Sequence, residues 1–183
     1  MNMAYLERLK RIRKEYKDFN EKTDFRGNSP IIQFPNEEDI TIWRVIFFGP
    51  SDTSYKKGLF CLSVNFPDGY PHIAPEVRFL TPIYHVNVNS KVPSFPDEKP
   101  LGHIYIPIFN DWKPEYTMYE VITYIYILFY KVNPDHPYSL DKVNEFNNNR
   151  SLYEEKIKKF TKKYANCKDF QNYPKNQNWD FSL

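Results

Sequence analysis

Between residues 31 and 79 the apolar residues come in short runs, each stopped by residues that turn the backbone. Thr41 to Phe48 is rich in β-formers (Ile42, Trp43, Val45, Ile46, Phe47, Phe48) and stops at Gly49-Pro50. Leu59 to Phe66 alternates, which predicts Phe60, Leu62, Val64 and Phe66 on one face and Cys61, Ser63 and Asn65 on the other. Pro67-Asp68-Gly69 closes that run, and a shorter one carrying Val77 and Phe79 ends at Thr81-Pro82. With the stretch that begins at Ile31, this spacing reads as four strands in an antiparallel meander.

Helical patterns flank the meander. Leu6, Leu9, Ile12 and Tyr16 recur at three- and four-residue steps among basic residues, an amphipathic first helix with Arg8, Arg11 and Lys14 on its charged face. Thr117 and Glu120 form a capping box before Val121, Ile122, Ile125, Ile127 and Leu128. That helix is apolar on nearly every side, so it is expected to be the buried central one. Asn133-Pro134-Asp135-His136-Pro137 breaks it, and Ser139 caps a short helix through Phe146. Ser151 with Glu154 reads as a second capping box, opening a helix that buries Tyr153, Ile157, Phe160 and Tyr164. From His85 to Trp112 the periodicity is lost among Pro93, Pro96, Pro100 and Pro107, an irregular segment. The fold class is α+β, with one domain over residues 1–165 and a polar tail over 166–183 that carries Trp179 and Phe181.

A chain of 183 residues with 41% hydrophobic and 26% charged residues fits a single globular core. Its formal net charge of +2 gives no global field for nucleic acid. The lysines near the C-terminal end (Lys156, Lys158, Lys159, Lys162, Lys163) share their helix with Glu154 and Glu155, so no nucleic-acid partner is expected. No apolar run reaches the length of a membrane span. Cys61 and Cys167, in a chain read as lacking a signal peptide, are expected to be reduced thiols. The location expected is intracellular, cytoplasmic by default, and the basic first helix leaves a mitochondrial or other organellar address open. The scattered His and Cys have no metal-ligand spacing, so neither a metal nor a cofactor is expected.

Specific motifs then carry a resemblance. Gly49-Pro50, Asp52-Thr53, Tyr55, Gly58 and Phe60 form one landmark, and Phe66-Pro67-Asp68-Gly69-Tyr70-Pro71 with Pro75, Val77 and Phe79 a second. His85-Val86-Asn87, Trp112-Lys113-Pro114 and Asn133-Pro134-Asp135 follow in order. Over about residues 5 to 165 the sequence resembles the ubiquitin-conjugating enzyme family, whose fold runs from a helix through a four-stranded meander and an irregular active-site segment to a central helix and two C-terminal helices.

In that family a cysteine after the His-Pro-Asn motif carries ubiquitin as a thioester. The resemblance puts the matching position at Tyr105, in Gly102-His103-Ile104-Tyr105-Ile106, or at Ile104 when the segment is anchored on Trp112 instead; either way there is no cysteine between Cys61 and Cys167. A thiolate is both a good nucleophile and a good leaving group near neutral pH, whereas a phenol is mostly protonated. Tyr105 is therefore expected to be a packed aromatic plug. The same reasoning makes His85, Asn87, Tyr105 and His136 a degenerate former site with no catalytic residue. Asn87 is expected to bond local backbone, His136 takes the place of an acid that prepares the incoming lysine, and Val86 replaces the motif's proline. The segment from Asn87 to Gly102 is longer than the family's usual loop and is expected to cover or reshape the groove.

The resemblance also proposes contact residues. His72 stands where ring-type ligases grip an apolar side chain, Pro114 lies on the partner loop, and Arg8 and Arg11 match a docking face for the activating enzyme. Trp179 and Phe181 are expected to be exposed contact rings. The resulting expectation is a protein that is not an enzyme. It would be an interaction or structural subunit of a larger assembly, or an adaptor partnered with ubiquitin or an active conjugating enzyme. The alternative is an active ubiquitin-conjugating enzyme with a different nucleophile. Cys61, mid-strand, is read as a small core hydrophobe rather than as that nucleophile.

Overall fold

The computed structural model describes residues 3–22, 25 and 29–165. Helix α1 (Met3–Glu21) leads into strands β1 (Ile31–Gln33), β2 (Ile42–Phe48), β3 (Leu59–Asn65) and β4 (Glu76–Phe79), and helices α2 (Met118–Leu128), α3 (Leu140–Asn148) and α4 (Arg150–Tyr164) follow. The strands form one antiparallel sheet in the order β1-β2-β3-β4, the α+β meander that the turn spacing implies. Its register sets Val45 against Leu62 and Val64 against Val77. One face carries Trp43, Val45, Phe47, Phe60, Leu62 and Val64 into the core. Helix α2 closes that face through rings: Tyr126 and Phe129 stand 6.0 and 5.5 Å from Phe47, edge to face.

Strand β3 is buried on both faces, which simple alternation does not predict. Cys61 and Ser63 are covered on the outer side because Ile46 and Arg44 pair with them across the sheet and Arg78 flanks Ser63 from β4. The Arg44 guanidinium donates to Ser63 Oγ at 2.7 Å, so a long aliphatic stem lies over the strand and its charged head finds a partner.

Helix α1 is rotated relative to its apolar spacing. The buried residues are Arg8, Ile12, Glu15 and Phe19, while Leu6 is exposed and Leu9 half-buried. The cause is a polar network. One Glu15 oxygen accepts from Arg11 Nε (2.7 Å) and the Tyr70 hydroxyl (2.9 Å), and the other accepts from the backbone N–H of Met118 (2.9 Å). Met118 opens α2, so the carboxylate sits at a helix N-terminus, where negative charge is favoured. Arg11 also donates to the carbonyls of Pro114 and Tyr116. These bonds reward turning a charged stripe inward.

Further differences from the sequence reading have local causes. Helix α2 is not buried all round: Tyr124 and Ile127 lie on its outer side and are about half exposed. Its Thr117–Glu120 capping box is present. Helix α4 starts one residue before Ser151 and is capped by Asn149, which accepts from Leu152 N–H, so the Ser151–Glu154 box does not form. Asn149 also ends α3, and one residue thus serves both helices.

Glu15→Ala should cost about 3 kcal/mol of stability, because it leaves the buried Tyr70 hydroxyl and the first N–H of α2 without their acceptor and half-buried Arg11 without its counter-charge. Urea unfolding reads this directly, and a loss below about 1 kcal/mol would show the network to be dispensable.

Candidate functional site

The site segment begins at Gly102, whose φ of +80° and missing side chain let the chain pass directly over the end of β4. A Cβ there would lie 2.0 Å from the Phe79 carbonyl oxygen, while Phe79 N–H donates to the Gly102 carbonyl at 2.8 Å. From this anchor, residues 102–105 run antiparallel to residues 87–89. Tyr105 N–H donates to the Asn87 carbonyl, Asn89 N–H to the His103 carbonyl, and Val88 pairs with Ile104. On the other side Tyr138 N–H donates to the Val86 carbonyl at 2.9 Å. Three segments thus lie side by side.

Asn87 holds them together. Its side-chain amide donates to the carbonyls of Asn133 (2.6 Å) and His136 (3.0 Å), and its oxygen accepts from Asn133 N–H (2.8 Å). Both ends of the amide are bonded to local backbone and the residue is fully buried. His85 is buried beside it. Its Nδ1 accepts from Asn87 N–H, so Nε2–H donates to the Leu128 carbonyl at 2.9 Å. Burial pushes this imidazole down to about 4, with Lys142 adding to the effect against the bond to Leu128, so the ring is neutral. Val86 N–H donates to the Tyr153 hydroxyl at 3.3 Å, a bond that a proline at this position could not make.

Tyr105 is half-buried. Its hydroxyl accepts from Asn110 Nδ2 at 2.9 Å, and its ring stacks on exposed His136 with centroids 4.3 Å apart and planes at 25°. The sequence reading named both residues without bringing them together, and it missed Asn110, His103 and Tyr138. Tyr138 and His103 share a hydrogen bond between the phenol and Nδ1 and meet edge to face at 5.8 Å. The signal for His103 was its place in the run that opens at Gly102, two residues before Tyr105.

The long segment between Asn87 and Gly102 folds back on itself. The Asn89 side-chain amide reaches the carbonyls of Lys91, Lys99 and Pro100 at 2.8 to 3.1 Å, so one residue clamps both ends of the loop. Beneath it lies buried Lys142, whose ammonium donates to the His85 carbonyl (3.4 Å) and Ser90 Oγ (3.3 Å) and sits 5.0 Å from the Tyr84 ring centroid. Burial lowers this amine to about 7, opposed by Glu145 and reinforced by Lys91.

Several proposed contact residues do not form an outward surface. Arg8 is buried, bonded to Asp68 and the Phe66 carbonyl, and Arg11 is spent on Glu15, Pro114 and Tyr116. A docking face through these two arginines is therefore corrected: the positive charge left outside on α1 belongs to Lys10, Arg13, Lys14 and Lys17. Pro114 is half-buried under Arg11, and His72 is exposed next to Ile73, which is 58% exposed. Trp179 and Phe181 lie outside the described residues, as does Cys167. Cys61 is fully buried with its sulfur 3.6 Å from the Leu62 carbonyl, closed to any macromolecular acyl donor. Among the described residues no group of three His, Cys, Asp or Glu is placed to hold a metal ion, and no helix is long and apolar enough to cross a membrane.

Comparison with known proteins decides the family. The family model for ubiquitin-conjugating enzymes matches residues 11–161, most of the chain and every element around the site. The chain belongs to the ubiquitin-conjugating enzyme family. It is 35% identical over 132 residues to a probable ubiquitin-conjugating enzyme E2 31 of Arabidopsis thaliana, covering 72% of this chain and 79% of that protein. It is 31% identical over 160 residues to the ubiquitin-conjugating enzyme E2 T of Xenopus laevis, covering 87% and 79%. The E2 T of Danio rerio is 38% identical over 117 residues, covering 64% and 58%. These relatives are named as enzymes, which overturns the expectation of a non-enzyme. That expectation went from one absent sulfur to the absence of all catalysis. A missing thiol rules out a thioester at position 105, but not acyl transfer through another atom.

The Lys142 site predicts a pH dependence. The ordinary lysine value is 10.5 and the folded one about 7, so between them the unfolded chain binds the extra proton. The penalty of burying the charge is therefore full below pH 7 and is relieved as pH rises. From pH 7 to pH 9 wild type should gain about 2 kcal/mol relative to Lys142→Met in urea titrations. A difference between the two that stays constant with pH would show that Lys142 is not held with its charge penalised.

Proposed function

We propose that this protein is a ubiquitin-conjugating transferase that takes the activated C-terminal carboxyl of ubiquitin, or a ubiquitin-like protein, and passes it to an amine. In this reading the phenol oxygen of Tyr105 carries the acyl group in place of the family's sulfur. What supports the proposal is that half-buried Tyr105, which the resemblance matches to the family's cysteine, has a hydroxyl hydrogen-bonded by Asn110. The partners are then the modifier itself and the enzyme that activates it.

The chemistry is slower than a thiol's but of the same kind. Phenols ionise near pH 10 and thiols near 8.5, so a phenolate leaves an ester about as readily as a thiolate leaves a thioester, within one to two units of leaving-group pKa. In charging, the Tyr105 oxygen bonds to the carbonyl carbon, the thioester's C–S bond breaks, and the phenol proton goes to the departing thiolate. The Asn110 N–H points at the oxygen that must bear charge when the ester is later broken, the arrangement by which a fixed dipole assists a leaving group.

Incubation with activating enzyme, ATP and ubiquitin should give a covalent adduct that hydroxylamine cleaves. It should fall at least about tenfold in Tyr105→Phe and persist in Cys167→Ser. No adduct on wild type would overturn the transferase reading, and an undiminished adduct on Tyr105→Phe would overturn the assignment of the carrier.

A further inference from the structure

Two ring pairs bridge the same two segments. His103 meets Tyr138, and two residues after His103 and two before Tyr138, Tyr105 meets His136, so the two pairs take alternate positions of the same two segments. His103, Tyr105 and Tyr138 are half-buried and His136 is exposed, which leaves the set open to a second substrate. We infer that Tyr138, its hydroxyl hydrogen held by His103, receives the primary amine that attacks the acyl group on Tyr105. This rests on the transferase reading and names the acceptor subsite within it.

The argument is one of hydrogen-bond inventory. The phenol is the stronger acid of the pair and the imidazole nitrogen the better acceptor, so Tyr138 O–H donates to Nδ1 of His103. Burial, with Lys99 adding to it, lowers the His103 imidazole to about 4, which keeps that lone pair available across the physiological range. The Tyr138 oxygen is then left with lone pairs only. A group that can only accept, placed beside ring faces, suits an N–H donor such as a lysine amine, which also gains from aromatic faces while it is still charged. Burial raises Tyr138 itself to about 12, so it stays a neutral phenol and does not compete with Tyr105 as carrier. The resemblance matches His136 to an acid of the family, and with an imidazole there the neutral Tyr138–His103 pair does the orienting of the amine.

The step starts from the neutral amine, the lysine ammonium having first given one proton to solvent water, and it then balances without any further reactant. The amine nitrogen bonds to the carbonyl carbon, the bond from that carbon to the Tyr105 oxygen breaks, and the departing electron pair makes a phenolate. The proton lost by the amine neutralises that phenolate, giving an amide and free Tyr105. Tyr138 acts as a positioning residue that accepts the amine N–H, and His103 acts through Tyr138.

The test separates charging from discharge. Wild type, Tyr138→Phe, His103→Leu and His103→Gln are charged with ubiquitin, the activating enzyme is quenched, and adduct loss is followed against L-lysine concentration. Tyr138→Phe and His103→Leu should charge as wild type does but need about tenfold more lysine for half-maximal discharge, with the rate at saturation changed little. His103→Gln, whose side-chain oxygen still accepts from Tyr138, should restore the wild-type concentration dependence. A lysine dependence in Tyr138→Phe equal to wild type, with normal charging, overturns this inference and leaves the transferase standing. Absence of charging in wild type overturns both.

Discussion

One buried carboxylate organises the half of the molecule away from the site. Glu15 takes hydrogen bonds from α1 itself, from the turn after β3 through Tyr70, and from the first N–H of α2. Each of those groups would be costly to bury alone, and a carboxylate facing a helix N-terminus and a guanidinium offsets much of its own desolvation. Once α1 and α2 are joined in this way, the segment between the sheet and α2 has little freedom. Arg11 fixes the carbonyls of Pro114 and Tyr116, and Trp112 donates to the Pro71 carbonyl at 2.7 Å. The far end of the 102–116 stretch is thereby set before any residue of the site is considered, and Gly102 on β4 sets the near end.

Within that frame the site is a problem of backbone satisfaction. Residues 86–89 have a neighbour on each side, and Asn87 supplies the bonds that the loop at 133–136 cannot make with itself. The amide is consumed in this role, and the hydrogen bond to the Tyr105 phenol comes from Asn110 instead. The molecule keeps the family's fold, an N-terminal helix, a four-stranded antiparallel sheet and three later helices.

The strand meander, the order of helices and the Thr117 cap were legible in the sequence because each rests on local chemistry: β-rich runs, Gly-Pro and Pro-Asp-Gly turns, a hydroxyl three residues before a glutamate. What was not legible rests on distant partners. Nothing around Arg8 or Arg11 in the sequence announces Asp68, Pro114 or Tyr116, and so a buried polar stripe read as a solvated one. The stacking of Tyr105 on His136 and the bond from Tyr138 to His103 likewise join residues about thirty positions apart. The cap at Asn149 was missed for a different reason. Asn149 and Ser151 are both good caps, and only the end of α3 at Asn148 decides between them.

The clamp at Asn89 has a consequence for the long loop it closes. Because one amide draws together the carbonyls of Lys91, Lys99 and Pro100, the two ends of the excursion are fixed whatever lies between them. Closing a loop of given ends becomes only slowly more unfavourable with length, by about 0.6 kcal/mol for each doubling. Val92 packs against the core, so residues 93–98 are in effect a socket in the surface: their number and character can drift while the two clamped ends keep their geometry.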